Sequence, residues 1–558
     1  MAVWPGSLAR SAWRLWLWFI KPLPTEAEPS RLPLFSRERW LGYLPSLLVI
    51  VPVLGLVFAV HWMGFEGWPI RQNGDAGVYA SQVWAVVFHH ELAPFSYFYD
   101  HPPGAWLTMA LYAFVTRAFQ RDPTTLIVVR EAMVCFHMIS SALLFGLARR
   151  MHYRRGLAAL AVLIFSLSPL GLQYQREAFI DNVMVMWLIA GLYFMASRRR
   201  DIPSAIAAGA CFGMAILSKE TALAMVPAMI VFFWLNTDPR KRVHRILAHY
   251  LPFAGMIGIY LVYAFGKHEF FVGRGHVSLV GTFKWQLVSR KPTGSLLDVH
   301  SQTFAMAMNW VHSDPVVLLA CVALAPLALL TRRTFTFGFM VVCQIGTVCH
   351  NGYMPFAFVT LLYPLAGLVV AGVANNFWNG FAGRRRRDGH HPTKRTLPRW
   401  IPRTALYGVR LAVLTGIVGA VLLAFPRWQP QLAQAMEARP DLAVVQAVHY
   451  METHVPRSKL VVTDNDSWTD LREAGFHPAP VDKLQLDPAV RRRLDHGWKD
   501  IAYVMSMKFS PSDCTTYSIT AVAVDHSVVV AAFGHGASTI YIRKVNAKRP
   551  AVAGGWCN

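Results

Sequence analysis

Long apolar runs broken by short polar connections fill the first three quarters of the chain. A helix of about 20 apolar residues crosses a bilayer because it bonds its backbone polar groups internally. Residues 41–60 fit this length. Residues 124–148, 156–174, 182–196, 202–217, 221–235, 246–265, 315–331, 334–350, 355–377 and 405–425 are further candidates. The pattern predicts a mainly α, polytopic transmembrane helical bundle of about eleven spans across 41–425. Before it, in the segment 1–40, a short Arg-bearing, Trp-rich stretch near Trp13 to Ile20 predicts an interfacial helix rather than a cleaved signal.

Beyond Phe425 the periodicity changes. Residues 441–454 repeat as a helix does, and 459–463, 501–506, 527–533 and 539–545 read as strands. The last two strands flank Gly534-His535-Gly536, a hairpin turn. Acids and bases are nearly balanced here, so 428–558 is expected to be a small α/β domain outside the membrane.

Composition agrees with the pattern. Hydrophobic residues make up 54% of the 558 and charged residues only 15%, which excludes an ordinary soluble protein. The net charge of +23 would suggest nucleic acid in a soluble chain. Here the positive charge sits in connections: Arg149, Arg150, Arg154 and Arg155; Arg198 to Arg200; Arg240, Lys241, Arg242 and Arg245; Arg332 and Arg333; and the run 384–403. The positive-inside rule places these in the cytoplasm, with the N-terminus inside and 428–558 extracytoplasmic, in a plasma membrane protein. The partner is then the lipid bilayer and not nucleic acid. Residues 104–119 cannot cross without reversing that order, so they are expected to lie at the outer interface. The long stretches 61–123 and 266–314 become outer loops.

The same assignment gathers the informative polar residues on or near the outer side. Asp75 stands in Asn73-Gly74-Asp75-Ala76-Gly77-Val78-Tyr79, where an aspartate either caps a helix or takes a proton from an attacking hydroxyl or amine. Tyr99-Asp100-His101-Pro102-Pro103 is a turn, or a site for a cation or a phosphate. Arg176 either snorkels and pairs with Asp181 or binds substrate. Lys219, beside Glu220 at an outer turn between two short spans, runs against the local charge bias and points to a ligand. His268 and His276 are candidate metal ligands with Asp100, and Asp464-Asn465-Asp466 is either a Ca²⁺ loop or an ordinary turn. Cys135, Cys211, Cys321, Cys343 and Cys349 fall in apolar spans. Cys514 and Cys557 share the outer domain and are expected to be a candidate disulfide pair. Gly273-Arg274-Gly275 lacks the strand and helix that a dinucleotide fingerprint requires.

The series GDAGVY, YDHPP, REAFIDN and LSKET resembles the GT-C integral-membrane glycosyltransferases (family 39-like) over roughly residues 35–425. The nearest branches are the protein O-mannosyltransferases and the lipid A aminoarabinose transferases. The resemblance implies a sugar donor linked to polyprenyl phosphate, an acceptor that is a lipid, cell-wall glycan or protein, and inverting transfer at the outer face. It matches Asp75 to the catalytic aspartate, Asp181 to the aspartate of the second outer loop, and Lys219 to the lysine after the following outward span. Asp100-His101 stands where the aminoarabinose branch has Glu-Lys. His101, Arg176 or a basic residue of 266–314 then takes over the phosphate contact, with Tyr79 and Glu220 beside it. No cofactor is required beyond a divalent metal ion, if one is used. A transporter or lipid flippase, which would show inverted repeats and charge at mid-membrane, is the competing reading. A scaffold whose outer domain binds envelope glycan is a third.

Overall fold

The computed structural model describes residues 22–23, 37–65, 74–273, 276–379, 403–437, 441–508, 514, 516–536 and 539–546. The expected interfacial helix near Trp13, the basic run 384–403 except its last residue Arg403, and Cys557 lie outside these. The longer helices are α1 (Arg37–Trp62), α2 (Asp75–His89), α3 (Gly104–Thr116), α4 (Thr125–Arg150), α5 (Arg155–Leu167), α6 (Pro169–Arg176), α7 (Ile180–Met195) and α8 (Ile202–Ser218). They continue with α9 (Val226–Asn236), α10 (Arg242–Gly266), α11 (Gln302–Ser313), α12 (Pro315–Leu329), α13 (Phe335–Gly346), α14 (Leu362–Trp378), α15 (Arg403–Glu437) and α16 (Asp441–His454).

Each of the eleven apolar stretches forms helix. Among the described residues five segments are long and apolar enough to cross a membrane singly, and up to seven if each of two bent pairs is one span. The bends have local causes. Pro169 breaks the 156–174 stretch: it cannot donate to the ladder, Ser168 caps the new helix through Gly171 N–H at 3.2 Å, and α5 and α6 meet at 67°. Likewise Asp314-Pro315 turns α11 into α12 by 111°. Ser168 donates to the buried Asp314 carboxylate, so the two bends are tied to each other.

Small residues let the central helices close up, as is usual between helices in a bilayer. A Cβ on Gly209 of α8 would stand 2.0 Å from the His249 carbonyl oxygen of α10, and one on Gly191 of α7 would stand 2.3 Å from the Phe212 ring of α8. The main core runs through α4, α5, α7, α8, α9, α12, α13 and α14. Helix α3 is too short to span. It buries Trp106, Met109 and Ala113 and exposes Leu111, Phe114 and Val115, which suits the expected interfacial position.

Helix α15 does not stop near Phe425. It continues through Pro426 and Pro430 to Glu437 before α16 begins. After it come β1 (Val461–Thr463), α17 (Asn465–Glu473), β2 (Ala479–Pro480), β3 (Tyr503–Ser506), α18 (Ser518–Asp525), β4 (Ser527–Phe533) and β5 (Ile540–Val545). The sheet order is β2-β1-β3-β5-β4, parallel across β2-β1-β3 and antiparallel across β3-β5-β4. Gly534 and Gly536, both at positive φ, turn the β4–β5 hairpin. Four strands match the expected ones. The two-residue β2 carries too little pattern to be read from sequence.

Two tests follow from this packing. Gly209→Ala should destabilise the detergent-solubilised protein by roughly 1–3 kcal/mol, measured as a lower Tm, because α8 and α10 must part. Cys514 is disulfide-bonded, so non-reducing peptide mapping should recover it linked to Cys557. Alkylation of both as free thiols would exclude that pairing.

Candidate active site

Helices α7 and α8 run antiparallel, joined through Arg198 to Arg200. Asp181 is in the first turn of α7 and Lys219 is the residue that ends α8. The two therefore meet at one end of the pair, about 24 Å along the α7 axis from the arginines. Lys219 Nζ lies 3.6 Å from Asp181 Oδ2, with both side chains almost fully buried. Each charge also suits its helix end, the carboxylate at an N-terminus and the ammonium at a C-terminus.

Around this pair is a chamber of about 410 Å³ lined by Asp75, Tyr79, His101, Asp181, Lys219 and Glu220, closed on the far side by Arg290, His350, Tyr353 and Phe356. Asp75 opens α2. It does not occupy the cap position, which belongs to Gly74 at φ 64°, a residue with no side-chain acceptor to offer. The capping reading of Asp75 is thus replaced by a carboxylate directed at the chamber. Tyr79 follows one turn later and stacks on Trp106, ring centroids 6.4 Å apart. His101 Nδ1 lies 2.9 Å from Glu220 Oε2, while Tyr97 holds the His101 carbonyl at 2.6 Å. Prolines 102 and 103 deliver the chain from His101 into α3, and Gly104 at its start lets α3 approach the Leu217 backbone at the end of α8.

Asp75 is electrostatically unusual. Burial raises its pKa above the ordinary carboxylate value, Asp100 and Asp181 push in the same direction, and Lys219 and His101 pull against them. A carboxylate that is basic yet held ionised by a nearby ammonium is what proton abstraction needs.

The second outer loop closes over the first. Thr282 donates to the Phe98 carbonyl at 2.7 Å, Gln286 to the Asp100 carbonyl at 3.3 Å, and Tyr99 to Glu269 at 2.7 Å. This brings Arg290 to the chamber wall, its guanidinium 3.3 Å from the Tyr353 ring centroid. Among the eight basic and acidic residues of 266–314, sequence could not single out Arg290; its chamber position comes from the pairing of Thr293 N–H with the Gly352 carbonyl at 2.9 Å. His350 was not visible in sequence for the same reason.

Four expected site residues, Arg176, Asp100, His268 and His276, stand elsewhere. Arg176 is fully buried between helices and donates to the Val60 carbonyl, away from the chamber lining. Its neighbour Glu177 pairs with the buried Arg130 at 3.2 Å. Asp100 is close enough to act electrostatically on Asp75 but does not line the chamber. His268 and His276 do not join Asp100: His276 Nε2 faces the Phe271 carbonyl at 3.3 Å, and among the described residues no three His, Cys, Asp or Glu side chains group as a metal site. The Asp464-Asn465-Asp466 run is no ion loop either. Asp464 accepts from Met507 N–H and Asp466 from Gly77 N–H, each at 2.9 Å.

At the opposite end, Arg150, Arg198, Arg200 and Arg333, from three connections, converge around Leu23 and Asn236. Acid-rich chamber and arginine cluster thus cap the two ends of one bundle.

Residues 100–265 match the sequence profile of the dolichyl-phosphate-mannose-protein mannosyltransferase family. The fold is similar to that of ArnT from Cupriavidus metallidurans bound to undecaprenyl phosphate, at TM-score 0.52 and 14% identity over 93% of this chain and 100% of that one. The apo state of ArnT from the same organism aligns at TM-score 0.54 and 14% identity, over 89% and 98%. No curated protein matches in sequence. The chain resembles the GT-C glycosyltransferases of the O-mannosyltransferase and ArnT kind, and it is an integral membrane protein with an ArnT-like fold.

The two-ended arrangement is directly testable. Cysteine introduced at Thr221 and, separately, at Ser197 should react with a membrane-impermeant maleimide in intact cells only at position 221, above the labelling of the unmodified chain. Equal labelling of both would contradict it.

Proposed function

We propose that this chain is a membrane glycosyltransferase that moves a sugar from a polyprenyl-phosphate donor to a hydroxyl or amine acceptor at the outer face of the plasma membrane. In this reading the N-terminal segment 1–40 is cytoplasmic, 41–425 is the catalytic module, and 428–558 is an extracytoplasmic domain. The supporting observation is the chamber in which Asp75, Asp181, Lys219, His101 and Glu220 meet at the end of the bundle away from the arginines. Donors of the nucleotide type stay on the cytoplasmic side, so an outward chamber takes its sugar from a lipid carrier.

Asp75 accepts the proton of the acceptor as its oxygen or nitrogen attacks the anomeric carbon. The bond from that carbon to the phosphate oxygen breaks, the configuration inverts, and polyprenyl phosphate leaves with the electron pair. Lys219 and Arg290 are the cations that stabilise the charge developing on the phosphate, with the His101 ring beside them. Asp181 holds the Lys219 ammonium in place, and Glu220 does the same for His101. Tyr79 and Trp106 offer stacked rings beside the sugar. A divalent cation would find Asp75, Asp181 and Glu220 on the wall, of which Asp181 and Glu220 each face a basic partner.

The assay is transfer of radiolabelled sugar from a polyprenyl-phosphate donor by the purified protein in lipid. Asp75→Asn should reduce kcat by at least about a thousandfold with normal expression, near the upper range for a general base; wild-type turnover in that variant would refute the assignment. A transporter or flippase would give no covalent transfer at all. The pH profile adds a second test. Asp75 acts as a base only when ionised, so activity should fall as pH drops through a pKa above the usual aspartate value of about 3.9. Lys219→Met removes a charge that lowers this pKa, so the acid limb should move to still higher pH, in addition to a loss of kcat.

A further inference from the structure

Helix α2 carries Asp75, yet the residue at its cap position makes no side-chain cap bond. Gly74 sits at the cap position in the left-handed region and has no side-chain oxygen to offer. The first turn of any helix exposes N–H groups that need an acceptor. Here the third helical residue, Gly77, donates to Asp466 Oδ1 at 2.9 Å in a buried bond spanning 389 positions of sequence. A local cap residue accepts from this same N–H. Asp466 belongs to the first turn of α17, in the sheet domain.

The approach is possible only because residue 77 is glycine. A Cβ there would lie 2.3 Å from the Asn465 carbonyl carbon and the Asp466 nitrogen. The two helices are then held in register along their length. Trp84 of α2 donates to Glu473 at the far end of α17 and meets Trp468 edge to face at 5.7 Å. Asp470 accepts from both the N–H and the hydroxyl of Thr125 at 2.9 Å, fixing the start of α4 as well. Ser96 is bonded to Asp487 of the same domain through its N–H and hydroxyl at 3.1 and 3.0 Å.

We propose that the sheet domain supplies the missing cap of α2 through Asp466, and so sets the position of Asp75 against Lys219 and Asp181. Asp466 is a positioning residue; it touches neither substrate nor the chamber. This assignment rests on the reading of Asp75 as general base, but the cap itself does not. Without it the first turn of α2 loosens, and Asp75 and Tyr79 leave the geometry in which Lys219 keeps the carboxylate ionised. The outer domain is thereby part of the catalytic apparatus rather than a cover over it.

The test uses the full-length protein in lipid nanodiscs. Asp466→Ala should speed amide exchange at residues 76–79 on the order of tenfold, the usual effect of losing a cap, while β1 and β3 keep their protection. kcat should fall by a similar factor with KM for the donor little changed, and the acid limb of kcat should move to higher pH. Asp466→Asn keeps an acceptor oxygen and should recover most of both losses. Unchanged exchange at 76–79 in Asp466→Ala overturns the cap, whatever the activity. Faster exchange with unchanged kcat and acid limb, in an enzyme that otherwise transfers sugar, overturns the positioning role. If the wild-type protein transfers no sugar, the transferase reading and the positioning role fail together, and the exchange arm still decides the cap. Should Asp466→Ala not accumulate, Gly77→Ala drives the same two helices apart and must give the same exchange and pH changes; its failure to do so overturns the proposal.

Discussion

A buried ion pair organises this molecule. Lys219 and Asp181 are almost entirely removed from water at the end of a membrane bundle, where an unpaired charge would cost several kcal/mol. Losing either partner leaves the other stranded, so the two helices that carry them are bound to one relative position. Helix dipoles reinforce the arrangement because α7 begins, and α8 ends, at the same level. Lys219 of the pair opposes the rise that burial gives the Asp75 pKa, and Glu220, next in sequence to Lys219, brings His101 into the circle.

The apolar environment makes these contacts strong and also demands that they be closed off. Three separate pieces of chain supply the closure. The first outer stretch contributes α2 and the His101 turn. The second folds back over it through Thr282, Gln286 and Glu269 and presents Arg290. The sheet domain then locks α2 from behind through Asp466, Trp468 and Glu473. Each of these pieces buries part of its apolar surface on another. A site built this way is sensitive to residues far from it. Gly77 and Gly104 never reach a substrate, yet both set how closely a wall of the chamber can approach.

The mixture of buried polar groups inside the bundle has a structural explanation. Arg176 and Glu177 lie within five residues of Asp181 in sequence, and Arg176 was by residue type a candidate for substrate contact. The difference is direction. Pro169 swings α6 by 67°, so that Arg176 turns inward against α1 and Arg130 meets Glu177 between helices. Asp314, which carried no motif, is likewise spent on joining two helix bends through Ser168. Ionisable residues in a membrane bundle thus divide into those that face the chamber and those that hold broken helices together, and residue type does not distinguish them.

Much was legible in the sequence by itself: the helical class, from apolar runs whose length matches a bilayer; the two-ended distribution of charge, from basic clusters concentrated in alternate connections; and four of the five strands, from alternation between turn residues. The grouping of Asp75, Asp181, His101, Lys219 and Glu220 was legible too, because topology alone assigns them to one side. Tertiary structure alone decided which side chains converge. It admitted Arg290 and His350, drew Arg176 into the core, kept His268 and His276 apart from Asp100, and turned Asp464-Asn465-Asp466 from a candidate ion loop into a helix start clamped on Gly77. The reason is physical: burial periods report which face of a segment is apolar, whereas a contact across 389 positions depends on bends, close glycine approaches and loop crossings that leave no period in the chain.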